Sequence, residues 1–390
     1  MHILMIAPEP FFEPRGTPFS EFHRIRALTT LGHTVDLVTY PFGRDVEMAG
    51  LRIHRSLRPP FISHIGIGPS WKKVPLDVTV ALTAVRLAMT RRYDAVHSHE
   101  EGGAIGVVIA KCLGVPHLYD MHSSLPQQIT NFGYGNWRWL TWLFARVERL
   151  MVRQSRVVIV ICPELEVTVR NVDKNVPAVL IENAPGSGDA PHAGTGATVR
   201  TALGLSAETP VVLYTGTFEA YQGLDLLYES MVLVAKERPD VRLVMVGGEP
   251  AQVEKSRAIV RTLGLEPFVI FTGQRPFEEV PAYLDAADVL ASPRSTGTNT
   301  PLKIYQYLRS GRPIVATRLR THMQVLSEDT AFLADPTPSA FAAAIREALR
   351  DPAAAKAVGD RAKALAEEKY SDAAYIAKTR TAMSMLAGGS

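Results

Sequence analysis

The feature that most constrains this chain is Val157-Val-Ile-Val-Ile161, a run in which every side chain is branched at Cβ. Such residues have restricted χ1 freedom and favour extended backbone. A strand with no polar alternation is covered on both faces, as in a parallel sheet lying between layers of helix. Similar short apolar runs recur at 3–7, 34–39, 51–54, 95–99, 117–122 and 179–181, then at 211–214, 241–246, 268–271, 288–292 and 314–317. Helical segments are expected between them at 20–31, 102–112, 224–237, 251–263 and 276–287, with alanine-rich helices at 338–350 and 353–368 and a last one at 372–386. Strands alternating with helices predict a parallel, doubly wound α/β sheet, and ligands of such sheets bind beyond the carboxyl ends of the strands. Arg15, Gly16, His97, His99, Asp120 and His122 fall at those ends.

At 390 residues the chain exceeds the usual size of one domain. Its composition, 46% hydrophobic and 21% charged, is that of an ordinary globular protein. Residues 183–210 turn abruptly to Gly, Pro and Ala, which places a domain boundary there.

One stretch in the second half carries a chemical signal. Pro293 to Thr317 reads P-R-S-T-G-T-N-T-P-L-K-I-Y-Q-Y-L-R-S-G-R-P-I-V-A-T, a strand end, a small-residue loop, a helix and a strand. Thr300 suits an N-cap and Pro301 the first helical position, where a missing N–H costs nothing. Leu302, Tyr305 and Leu308 recur at helical spacing, and Gly311 sits where a helix stops. Free amides, a positive helix end and Lys303 in the first turn then converge on one point, a good place for a phosphate or diphosphate.

Taken together, the glycine loop after the first strand, Asp120-Met-His122, the element Gly216 to Gly223, Val246-Gly-Gly248, Phe271-Thr-Gly273 and Pro301 to Thr317 resemble a family-4 glycosyltransferase of the GT-B type over nearly the full length. The resemblance implies two Rossmann-like doubly wound domains facing a central cleft, a retaining hexosyl transfer and no required metal or cofactor. It divides the chain into an acceptor domain at 1–183, a linker at 184–209, a nucleotide-sugar domain at 210–370 and a C-terminal helix at 371–390 that packs back on the first domain. The donor is a nucleotide-diphosphate sugar, a UDP-sugar first and a GDP-sugar second. Catalytic roles fall on His122, Lys303 and Arg294. Donor contacts fall on Gly16, Thr17, Gly216, Thr217, Glu219, Gln222, Gly248, Gln274, Thr298, Asn299, Thr300, Pro301, Leu302 and Gln306.

The chain departs from the family where charge matters. Many members carry two glutamates eight positions apart around this helix, the second meeting the ribose; Thr298 and Gln306 stand there. A glutamine amide still bonds a diol, without the strength of a carboxylate. Many members also carry Arg and Lys in the glycine element, where Thr217 and Gln222 stand. The departing diphosphate still needs its charge met, so Arg294 and Lys303 are expected to take that task. His122 is expected to position the sugar by a hydrogen bond. His97 and His99 are read as structural, with no third metal ligand in the sequence pattern. Two other classes stay open at this stage: a silent nucleotide-sugar-binding partner protein, and an epimerase or hydrolase on the same fold.

Net charge is +3 but uneven, since Arg52, Arg55, Arg58, Lys72, Lys73, Arg86, Arg91 and Arg92 face only Asp77. Trp137, Trp139 and Trp142 precede Arg146, Arg149, Arg153 and Arg156, a pattern like an interfacial anchor. These two segments predict peripheral contact with a membrane and a lipid-linked acceptor, and not a nucleic acid. No apolar run reaches the roughly 18 residues that span a bilayer. Residues 1–8 read as a strand and not as a signal peptide. Cys112 and Cys162 are expected as buried free thiols of a cytoplasmic protein, at the inner face of the membrane where it docks.

Overall fold

The structure is a computed structural model, describing residues 1–12, 16–62, 65, 70–129, 138–182, 195–297 and 299–388, with backbone alone at 16, 17, 19, 128 and 129. Thr298, Trp137, Arg15 and the first part of the expected linker lie outside the described residues. The chain forms two compact units, Met1–Asn183 with Asp372–Ser390, and Ala184–Ser371.

The first unit runs β1 (His2–Ala7), α1 (Gly16–Thr30), β2 (Thr34–Thr39), β3 (Leu51–Arg55), α2 (Lys73–Thr90), β4 (Ala95–His99), α3 (Gly102–Leu113), β5 (His117–Met121), α4 (Leu125–Ile129), α5 (Arg138–Gln154), β6 (Val157–Val160), α6 (Pro163–Val172) and β7 (Ala178–Leu180). Its seven strands lie in the order β3-β2-β1-β4-β5-β6-β7, all parallel. β6, the branched run, is wholly buried. Alternation along β1 divides the core: Ile3 and Met5 join Ile25 and Leu28 of α1, whereas Leu4 and Ile6 join Leu76 and Val80 of α2 and Ile109 of α3. α3 packs beside both α2 and α5, so these helices form one layer on the sheet.

The second unit runs α7 (Thr195–Ala202), β8 (Val211–Thr215), α8 (Leu224–Glu237), β9 (Arg242–Val246), α9 (Pro250–Thr262), β10 (Val269–Gly273), α10 (Val280–Ala286), β11 (Val289–Ser292), α11 (Lys303–Ser310), β12 (Ile314–Thr317), α12 (Arg320–Met323), β13 (Phe332–Ala334), α13 (Pro338–Arg350) and α14 (Pro352–Lys369). Its parallel sheet has the order β10-β9-β8-β11-β12-β13. α15 (Asp372–Ala387) then returns to the first unit, where Tyr375, Met383 and Leu386 share the core with Ile25 and Leu28 of α1.

Both sheets reverse their winding once, between β1 and β4 and between β8 and β11. At such a point two successive loops diverge to opposite faces and leave a crevice at the strand ends. The crevice of the second unit is bounded by the segments after Thr215 and Ser292, which hold most of the residues singled out above.

Two local readings change, and one helix was passed over. Gly16 and Thr17 belong to the first turn of α1 and not to a loop before it. Within the expected linker, Thr195–Ala202 folds as α7 onto the second unit: Gly196 donates its amide to Asp285 Oδ2 at 2.8 Å, and Arg200 reaches Asp288 Oδ2 at 2.8 Å. α2 was not legible as a helix, because its outward side is as apolar as its inward side and leaves no contrast for a 3.6-residue period.

Candidate active site

The end of β8 and the end of β11 are stitched together by backbone. Ser295 donates its amide to Tyr221 O at 3.1 Å, and Gly223, at φ +70°, lies so close to the Pro293 carbonyl that a Cβ would overlap it. Residues 220–222 make a short 3₁₀ turn before α8. Gly216 donates to Val246 O at 2.9 Å, which draws the loop after β8 toward the end of β9.

Lys303 opens α11 beneath this floor. The helix starts two residues later than the sequence suggests: Ile304 and Tyr305 bond back to Pro301 and Leu302, and Leu302 occupies the cap position with no side-chain cap. Thr300 is therefore not the N-cap. Its Oγ1 is buried and has no hydrogen-bond partner among the described residues. The Lys303 ammonium is buried too, 3.8 Å from the centroid of the Tyr214 ring, and it likewise has no hydrogen-bond partner among the described residues. It would lie 3.1 Å from a Cβ placed on Gly216, so the glycine leaves the space that the amine occupies. Burial, then the charge of Arg294, push its pKa well below the usual lysine range. A buried amine without an anion to meet it holds its proton less tightly, so an anionic ligand would satisfy the group.

Arg294 is held just above. Its Nε donates to Thr296 O at 2.7 Å, its guanidinium stacks 5.2 Å from the Tyr221 ring centroid, and its carbonyl accepts from Thr317 Oγ1 at 2.7 Å. Thr317 in turn contacts His322, a residue the sequence reading passed over. His322 is fully buried; its Nδ1 lies 2.8 Å from Thr317 O, so that nitrogen donates and Nε2 accepts from Ser292 Oγ at 2.8 Å. Burial lowers its pKa to about 4. The neutral ring thus clamps the ends of β11 and β12, and with them the turn that carries Arg294. Gln306 lies one turn along α11 from Lys303 and is part-exposed.

Other donor candidates are occupied elsewhere. Glu219 accepts from Gln252 Nε2 at 2.8 Å, Gln252 completes a capping box with Glu249 at the start of α9, and Glu249 accepts from Gln274 Nε2 at 2.9 Å. Glu219 and Gln274 thus belong to one network that braces the glycine turns. Gln222 is buried and donates to Thr217 Oγ1 at 3.4 Å, leaving its Oε1 without a partner among the described residues. Thr217 is exposed, Gly248 packs on the Phe218 ring, Pro301 is buried, and Asn299 and Leu302 are half-buried in the turn before Lys303.

His122 of the first unit follows β5 and is separate from Lys303 in the chain's two-unit division. It is one of a buried cluster. Asp120 Oδ2 accepts from Arg24 Nε at 2.8 Å, Asp120 Oδ1 lies 3.3 Å from His122 Nε2, and His122 Nε2 lies 3.2 Å from His99 Nδ1. The rings of His97 and His99 stack at 4.7 Å. Burial lowers the pKa of His122 to about 4, against the pull of Asp120, so the ring is neutral. Burial works to raise Asp120, but Arg24 above all holds it well below the carboxylate range. The third metal-ligating group that the sequence pattern lacked is present here: His97, His99 and Asp120 converge within 4.8 Å. Arg24 already neutralises Asp120, so the group reads as an ion-paired core. Glu21, one turn before Arg24 on α1, is fully buried with neither oxygen hydrogen-bonded among the described residues, and burial pushes its pKa well up. Arg24 and Glu21 had one signal in the sequence, charge on the inward side of an apolar-periodic helix.

The basic segment at 52–92 is partly spent. Arg55 pairs with Asp45 at 2.9 Å, Arg91 with Asp36 at 2.8 Å and Lys73 with Glu101 at 2.7 Å. Cys162 is buried as expected, whereas Cys112 is exposed on α3.

Residues 23–185 match the family described as glycosyl transferase 4-like domain, and residues 209–351 match the family described as glycosyl transferases group 1. A D-inositol 3-phosphate glycosyltransferase of Corynebacterium diphtheriae is 28% identical over 349 residues, covering 84% of this chain and 79% of that protein. The sucrose-phosphate synthase of Thermosynechococcus elongatus superposes with a TM-score of 0.80 at 22% identity, covering 100% of both chains. HepE of Anabaena, solved with UDP, superposes at 0.76 and 18% identity over 98% of this chain and 100% of that one. With two parallel Rossmann-like sheets and both glycosyltransferase domains in chain order, the protein is a glycosyltransferase of the GT-B fold, similar to family 4.

Proposed function

We propose that the protein is a retaining hexosyltransferase that takes its sugar from a nucleoside diphosphate, a UDP-sugar first and a GDP-sugar second. The acceptor is a hydroxyl of a membrane lipid or lipid-linked glycan at the cytoplasmic face. The observation that carries this reading is the Lys303 ammonium, buried beside Gly216 with no hydrogen-bond partner among the described residues. The UDP bound to HepE supports the choice of nucleotide.

In this scheme the diphosphate lies at the crevice between β8 and β11, with Lys303 and Arg294 meeting its charge and Thr300 Oγ1 supplying a hydroxyl. Two cations that close to the leaving group do the electrostatic work that a divalent ion does elsewhere. The bond between the anomeric carbon and the diphosphate oxygen breaks, and the acceptor oxygen bonds that carbon on the same face. The acceptor proton passes to the departing phosphate oxygen, so no carboxylate base is required. Neutral His122 holds a sugar hydroxyl, and Gln306 bonds the ribose diol. The test is nucleoside diphosphate release from a panel of UDP- and GDP-sugars, with and without lipid-linked acceptors. Release that requires acceptor supports transfer. Release at the same rate without acceptor, or none with any donor, overturns it.

A further inference from the structure

The exposed large hydrophobic side chains are shared unequally between the units. Among the described residues, the second unit contributes Tyr221 and Met323, and the first contributes all the rest. The most ordered set is on α2, where Val74, Val78, Leu82, Val85 and Met89 form a stripe, with Leu82 61% and Met89 81% exposed. The inward residues of the same helix are Leu76, Val80, Ala84 and Leu87. At about 100° per residue the two sets are centred on opposite sides of the helix. The stripe therefore points straight away from the core. Val108 continues it on α3, and Trp139, Trp142, Leu143 and Leu150 continue it on α5, whose inward residues are Glu148, Met151 and Val152. Contiguous apolar surface on this scale marks an interaction face.

Charge on the same layer selects the partner. Arg86, Lys111, Arg138, Arg146 and Arg149 are exposed among these apolar side chains, and Arg153, also exposed, lies 4.0 Å from Asp173 beyond the layer. The carboxyl groups of α2, α3 and α5 are Asp77 and Glu148 alone, and both turn inward: Asp77 accepts from Tyr40 OH at 2.6 Å, and Glu148 from the Leu125 amide at 2.8 Å. Arg146 lies 4.8 Å from the Trp142 ring centroid, so the aromatic and the cation are presented together. A face of aliphatic and indole groups with cations and no outward carboxylate complements an anionic bilayer, whose acyl region takes the former and whose head groups take the latter. No described helix is long and apolar enough to cross a membrane, so the contact is superficial. We infer that the α2–α3–α5 layer docks on an anionic membrane surface, with the α2 stripe as its apolar footing. This deepens the acceptor reading above, but vesicle binding is read without turnover, so each can fail alone.

The experiment is co-sedimentation of the full chain with phosphatidylcholine vesicles containing about one-third phosphatidylglycerol, against pure phosphatidylcholine, in low and high salt. Binding to the anionic vesicles alone, weakened by salt, is expected. Val78→Glu/Leu82→Glu and Arg146→Glu/Arg149→Glu should each reduce it by at least ~10-fold, because each places anions against lipid phosphates. Thermal melting of both variants should match the parent, since the altered side chains point outward. No binding, equal binding to neutral vesicles, or undiminished binding by the variants overturns the inference. So does a dimer that Val78→Glu/Leu82→Glu dissolves while vesicles are ignored, which would make the face a protein interface.

Discussion

Replacing Lys303 by methionine separates what a residue does for the fold from what it does for a ligand. In the free protein the amine is buried, 3.8 Å from the Tyr214 ring centroid, and has no hydrogen-bond partner among the described residues. Exchanging a buried polar group left without a hydrogen bond for an apolar side chain of similar volume stabilises by roughly 1–3 kcal/mol. The lost contact with the Tyr214 ring offsets about 1 kcal/mol of this. A net gain of about 0–2 kcal/mol corresponds to a rise of up to roughly 8 °C in Tm for a unit of this size. Turnover should move the other way. Removal of one preorganised group that meets leaving-group charge costs about 10²–10³ in kcat. Scanning calorimetry of the ligand-free protein and donor-dependent nucleotide release are the two assays. A Lys303→Met protein that melts lower and still turns over within about threefold of the parent would show that the lysine serves packing and not the diphosphate.

Gln306→Ala should raise KM for the donor by roughly 3–10-fold with little change in kcat, the size of one neutral hydrogen bond to the ribose; an unchanged KM in steady-state kinetics would remove the glutamine from the donor site. The pH dependence of stability should be reshaped by Glu21→Gln. The folded state raises the pKa of Glu21, so the stability it contributes is fully present below the unfolded value of about 4.3 and is lost as pH climbs through the folded one. The variant should therefore gain over the parent progressively from pH 5 to pH 9, by at least ~2 °C in Tm at the upper end. A constant difference across that range would mean that the carboxyl is ionised alike in the folded and unfolded states, and so is not raised by burial.

The parts of the fold legible in the sequence were those set by local physics. β6 could be read because five branched residues leave the backbone little choice, and the glycine turns after β8 and β9 because a side chain would collide with neighbouring groups. The meeting of Gly216, Arg294 and Lys303 was expected from the family resemblance, and the winding order that sets β8 beside β11 accounts for it. What failed was set by distant partners. Arg24 and Asp120 are 96 residues apart in sequence, and nothing local joins them. Glu219 reads as a free loop carboxylate until Gln252 of α9 is seen to hold it. Pro301 argued for a helix start that comes only at Lys303, because Pro301 and Leu302 are used as acceptors in a tight turn. α2 hid because it is apolar on both sides, the same property that makes its outer side a docking face.

The central claim is that Lys303 awaits a diphosphate. Its most direct test is titration calorimetry of UDP and of GDP into the parent and Lys303→Met proteins at pH 8, in two buffers of different ionisation enthalpy. Burial and Arg294 hold the free lysine below its ordinary range, and a bound diphosphate would restore its proton. The account therefore predicts that one of the nucleotides binds the parent with net proton uptake, and that the variant binds it at least ~10-fold more weakly with the uptake gone. Equal affinity and equal proton uptake in the two proteins would contradict it.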